Sequence, residues 1–103
     1  MINISSQRYI DEDIVECKRV NKDYEVFVSP CFELDGQQMR VVLDGHHSLA
    51  AAKEDGASPE FVEYDATEHD AICLLESGDI DGFLHAVHMG DDYYNVDTGK
   101  DVW

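Results

Sequence analysis

Between residues 39 and 56 the chain reads Met-Arg-Val-Val-Leu-Asp-Gly-His-His-Ser-Leu-Ala-Ala-Ala-Lys-Glu-Asp-Gly, and this stretch restricts the fold more than any other. Met39 to Leu43 is apolar at nearly every position, as in a strand covered on both faces. Asp44-Gly45 ends it. His47 to Asp55 reads as helix, because Ala50, Ala51 and Ala52 have high helix propensity and let a helix lie close to a sheet. Gly56 stands where a left-handed C-terminal cap belongs. A buried strand passing directly into a helix places the chain in the α/β (α+β) class, as a small mixed sheet with helices.

The flanking segments extend that reading. Tyr24, Val26, Val28, Phe32 and Leu34 occupy even positions, so period two predicts a strand with one buried face. Pro30 cannot donate to a ladder, which predicts an edge position or a break there. Asp35-Gly36 is a hairpin pair, because the turn needs positive φ. Pro59 leads into a third short strand at Phe61 to Tyr64. The strands on either side of the alanine-rich helix are expected to form a right-handed crossover. Ile10, Ile14 and Cys17 predict a helix over Asp11 to Val20, and Ile2 to Ile4 allows a strand. Thr67-x-x-Asp70 resembles a capping box, with Ala71, Leu74 and Leu75 as the apolar stripe that follows and Ser77-Gly78 as its end. Ile80 to His88 allows another short helix. Residues 90 to 103 read as loop or hairpin, with Tyr93, Tyr94, Val96, Val102 and Trp103 available to dock.

Length and charge bound the function. At 103 residues the chain is expected to be one domain, with a motif core over 24–65 and a helical extension over 66–103. Seven Lys+Arg stand against 23 Asp+Glu, a formal charge of −16. Such a field repels phosphate backbones, which argues against direct nucleic-acid binding, and attracts basic protein surfaces or metal ions. Cys17, Cys31 and Cys73 are far apart and lack Cys-x-x-Cys spacing, so reduced thiols in a cytoplasmic protein are expected. No apolar run approaches the roughly 20 residues that cross a bilayer, so no membrane role is expected.

The run Val41-Val42-Leu43-Asp44-Gly45-His46-His47-x-Leu49-Ala50-Ala51-Ala52-Lys53-x-x-Gly56 resembles the signature of the ParB/sulfiredoxin-like superfamily, over roughly residues 24 to 65. Members carry an apolar strand, a Gly-His-His-Arg-Leu-Ala-Ala-like turn and helix, and a further strand after a glycine. They include nucleotide-dependent partition proteins, a sulfinic-acid reductase, a free-serine kinase and proteins described as nucleases. The resemblance implies that Asp44, Gly45, His46, His47 and Ser48 face the phosphates of a nucleotide. A helix N-terminus suits that task, since its first amides lack intrahelical partners and the macrodipole is positive there. Ser48 stands where the family pattern has arginine, and serine offers one neutral contact in place of a charged fork. No cysteine lies in the turn, so the reductase chemistry has no nucleophile here.

Two functional expectations remain open. In the first, a stand-alone module of this kind, catalytically weak or inactive, binds a nucleotide or other phosphate ligand at the Asp44–Ser48 turn, with Mg²⁺ offsetting the acidic field. In the second, the domain is an acidic, non-catalytic interaction module, or a nucleic-acid mimic that inhibits a basic partner. The paired imidazoles are either a ligand site or an inherited structural turn. His85-x-x-His88, with His69, Asp91 and Asp92 nearby in sequence, has spacing compatible with zinc or nickel and equally with solvated surface histidines, so no metal site is assigned.

Overall fold

A computed structural model describes residues 1–102, so the expected docking of Trp103 lies outside the described residues. The elements in chain order are β1 (Ile2–Ser5), α1 (Glu12–Val20), β2 (Glu25–Val28), β3 (Phe32–Leu34), β4 (Gln37–Asp44), α2 (His46–Asp55), β5 (Glu60–Glu63), α3 (Ile72–Glu76), α4 (Ile80–Ala86) and β6 (Tyr94–Asn95). They form a mixed α+β domain in which the strands build one six-stranded sheet, ordered β5-β2-β4-β1-β6, with β3 also on β4.

β4 is the axis of that sheet, and its sequence explains why. Val41 and Leu43 enter one core and Val42 the other, so both faces are covered. Pro30 breaks the even-numbered apolar strand into β2 and β3, which pair antiparallel with successive parts of β4. At the break Ser29 donates its N–H to Val41 O, and its Oγ accepts the Val41 N–H, both at 2.9 Å. The ladder is thereby satisfied across a proline. Asp35 and Gly36 turn the β3–β4 hairpin with φ of 52° and 76°.

The expected crossover is not formed. β1 takes one edge of β4, in parallel, while β2 and β3 take the other. With both edges occupied, α2 delivers β5 to the outer edge of β2, in parallel. Since β2 is antiparallel to β4, β4 and β5 run in opposite directions, and the handedness rule for parallel neighbours has no purchase here.

Two cores lie on opposite faces. Ile72, Phe83, Leu84 and Val87 from the α3–α4 region pack with Ile4, Val41, Leu43 and Tyr93. Phe32 and Phe83 meet edge to face at 6.0 Å. On the other face Leu49 of α2 packs with Val26, Val28, Val42 and Val96. α1 lies against α2 and begins at Asp11, whose carboxylate accepts the Asp13 N–H at 2.9 Å. Asp79 caps α4 in the same way by accepting the Gly82 N–H.

The capping box expected at Thr67 and Asp70 sits two residues earlier. Asp65 accepts the Thr67 N–H, and Glu68 reaches back to accept the Asp65 N–H at 3.1 Å. The reciprocal pair closes a turn ahead of α3, and α3 itself has Ala71 at its N-cap, with no side-chain cap. The segment after α4 does dock: Tyr93 and Val96 are buried, β6 pairs with β1, and Tyr94 bridges to Asp101. No helix is long and apolar enough to cross a membrane among the described residues.

Candidate functional site at the strand-to-helix corner

The corner between β4 and α2 brings together all five residues singled out by the sequence. Gly45 is the N-cap of α2 at φ +86°. A Cβ there would stand 2.6 Å from Glu25 O and 3.0 Å from Val26 Cα. The glycine therefore serves the backbone of β2, against which the first turn of α2 is pressed. Asp44 turns its carboxylate onto the corner and accepts the Gly45 N–H at 2.7 Å.

The two imidazoles are both bonded within the protein. His46 is buried, with Nε2 2.6 Å from Ser5 Oγ, and that hydroxyl also accepts the Gln7 N–H. Burial pushes the His46 pKa down to about 4, against a small upward pull from Asp44, so the ring is neutral at physiological pH. His47 Nε2 accepts the Asp11 N–H at 3.2 Å, which places its proton on Nδ1. It thereby ties the start of α2 to the cap of α1. Both rings are engaged by the protein's own atoms.

Ser48 is buried as well, and its hydroxyl bears on the Asp23 carboxylate. Asp23 pairs with Lys18 at 3.0 Å. The hydrogen bond from Lys18 holds Asp23 below the usual carboxylate range; the Glu25 N–H, the Lys18 charge and the Ser48 hydroxyl add to this, and burial opposes it. Where the resembled motif carries a phosphate-clamping cation, this chain has a serine beside the partly exposed Asp23 carboxylate.

Outside the corner lies a hollow of about 100 Å³, walled by Lys18, Asp23, Glu25, Phe27, Asp44, Gly45 and Ser48. Cavities that enclose drug-sized ligands run to several hundred Å³. Three carboxylates face one ammonium in its wall, so its field suits a cation. Beside His46 a second hollow of about 130 Å³ is bounded by Ile10, Leu49, Lys53 and Tyr94. A larger one, about 330 Å³, lies at His85, His88, Asp92 and Tyr93. His69 and Asp91 do not line it, and Asp91 instead accepts the Arg8 N–H. Among the described residues no group of three or more His, Cys, Asp or Glu is placed to hold a metal ion.

Sequence reasoning missed the partners that define the corner: Ser5, Asp11, Asp23 and Lys18. Ser5 and Asp11 lie 41 and 36 positions from the histidines they meet, and no local pattern announces such pairs. The third strand held a further signal. Phe27 and Tyr64 stack at 4.7 Å with rings 16° apart, consistent with the β2–β5 pairing. No family model, no curated protein and no solved structure matches this chain, so the chemistry of the corner rests on these residues.

Proposed function

We propose that the chain is an acidic, non-catalytic interaction module, degenerate from a ParB/sulfiredoxin-like domain, that engages a basic partner protein. One observation carries this reading: the hollow at the strand-to-helix corner is walled by Asp23, Glu25 and Asp44 against Lys18 alone. His46 is bonded internally to Ser5, His47 is tied through Nε2 to the Asp11 N–H, and the motif arginine is Ser48. Three further cations are also committed. Arg19 spans Glu16, Glu54 and Asp55, Arg8 pairs with Asp101, and Lys53 donates to the Val96 carbonyl. The remaining carboxylates dominate the outward field, which speeds encounter with a basic surface and rejects nucleic acid.

The test is retention of the protein on immobilised polylysine as NaCl rises from about 50 to 500 mM, where the Debye length falls from about 14 to 4 Å. Elution within that range is expected. Retention indifferent to salt, or no retention at the low end, removes the reading.

A phosphate ligand is the second reading, favoured by the left-handed Gly45 and by the lack of a side-chain cap on α2. Mg²⁺ would have to accompany the nucleotide to offset the carboxylates. Titration with ATP and CTP, with and without Mg²⁺, should then move the amide resonances of Gly45 to Ser48. Unmoved resonances at millimolar nucleotide exclude it.

A further inference from the structure

Among the described residues, one stretch of the sheet contributes little to either core, with Tyr64 at the margin of the α3–α4 one. Val26, Val28 and Phe61 belong to the core beneath α2. Strand alternation puts Glu25, Phe27 and Val62 on the opposite face, with Tyr64 just past the end of β5 on the same side. On that side α3 and α4 cover β1 and β4, where Ile72, Phe83 and Leu84 meet Ile4 and Val41. Phe27 and Val62 join neither core and stay half-buried. β5 is also the outer strand of the sheet.

Three carboxylates converge on this face from different elements. Asp44 stands opposite Phe27 in the β2–β4 register, Glu25 precedes Phe27 by two on the same strand, and Glu68 comes from the turn after β5. The Tyr64 phenol registers all three. Its pKa is raised first by burial and then by the charges of Asp44, Glu68 and Glu25. Lys18, the one cation at the adjacent hollow, is already paired with Asp23.

We propose that the stacked Phe27–Tyr64 face, rimmed by Glu25, Asp44 and Glu68, is the docking surface for an arginine-bearing segment of a partner protein. The proposal rests on the interaction-module reading and gives it a location. Charge complementarity selects the occupant. A second copy of this chain brings another formal charge of −16, and nucleic acid brings phosphates, so both are repelled. A guanidinium is planar, weakly hydrated and able to lie on an aromatic face while its edge donates to carboxylates. An ammonium matches the charge but not the stacking.

The experiment is calorimetric titration of the whole chain with a nine-residue peptide carrying arginine at alternate positions, and with lysine and glutamine counterparts. The arginine peptide should bind most tightly and the glutamine peptide not at all. Combining Glu25→Gln, Asp44→Asn and Glu68→Gln removes three charges while keeping an acceptor oxygen at each place, and should weaken the arginine peptide at least tenfold. Combining Asp70→Asn, Glu76→Gln and Asp81→Asn removes the same charge from α3, α4 and the turn before them, and should weaken it less than threefold. Phe27→Leu should weaken the arginine peptide threefold or more and leave the lysine peptide within twofold. Equal losses in the two triple variants, or self-association of the chain at the concentrations used, overturn the location and leave the acidic-module reading standing. If the wild-type chain binds neither cationic peptide at millimolar concentration, both fall.

Discussion

Gly45→Ala separates a glycine kept for packing from one kept for ligand access. Two penalties combine at this position. The left-handed φ of +86° costs an L-residue about 1–2 kcal/mol. The new methyl would also sit 2.6 Å from Glu25 O, where ordinary contact begins at 3.4 Å, so α2 and β2 must part by about 0.8 Å (3.4 − 2.6). Overpacking of that kind costs about 1–3 kcal/mol. The expected total is about 2–5 kcal/mol. Gly56→Ala is the internal reference, because its φ is +64° and nothing lies within 4 Å of the added carbon. It should lose only the conformational part, about 1–2 kcal/mol. Urea unfolding followed by circular dichroism reads both. With a slope of about 1–3 kcal/mol per molar, the midpoint for Gly45→Ala should fall by roughly 0.3–3 M beyond that for Gly56→Ala. Losses equal within about 0.5 kcal/mol would refute the close approach of β2 as the reason for the glycine.

Other measurements probe the rest of the molecule. The His46 ring should titrate near pH 4, as followed by its Hε1 resonance, and a midpoint near 6.5 would contradict its burial. Because the unfolded chain takes up this proton below about 6.5 and the native chain does not, stability should be level above that pH. It should fall by about 3 kcal/mol as the pH drops to about 4, measured by urea midpoints in His46→Gln and wild type. Phe83→Ala, at a fully buried position beside Phe32, should cost about 3–5 kcal/mol in the same assay. Asp79→Ala leaves the Gly82 N–H without its cap and should cost about 1 kcal/mol, whereas Asp79→Asn should cost less than half of that.

Local chemistry made some elements legible and left others out of reach. Asp35-Gly36, Pro30 and Gly56 each dictate a backbone conformation within a few residues, and the hairpin, the strand break and the α2 cap all lie where those residues stand. The even-numbered valines and the alanine run likewise carry their period in a short window. Neighbour relations between strands do not. Nothing near β5 says that it pairs with β2 in place of β4, since that choice depends on β1 having claimed the other edge. The misplaced capping box shows a finer limit. Asp65-x-x-Glu68 and Thr67-x-x-Asp70 overlap, and the first prevails because Asp65 O also accepts the His69 N–H and fixes the turn. At the candidate site the sequence located the corner and its five residues. It could not foretell that Ser5 and Asp11 would claim the imidazoles, because those contacts exist only once distant segments have met.

The position of β1 bears on how the chain folds. This strand lies between β4 and β6, so residues 2–5 find their two neighbours at 39–41 and 94–95. Closing loops of that length costs configurational entropy before any ladder bond returns it, and topologies rich in such distant pairings fold slowly. During synthesis the hairpin of β3 and β4 and the helix α2 can organise first, while one edge of β1 waits for Tyr94 and Asn95 to leave the ribosome.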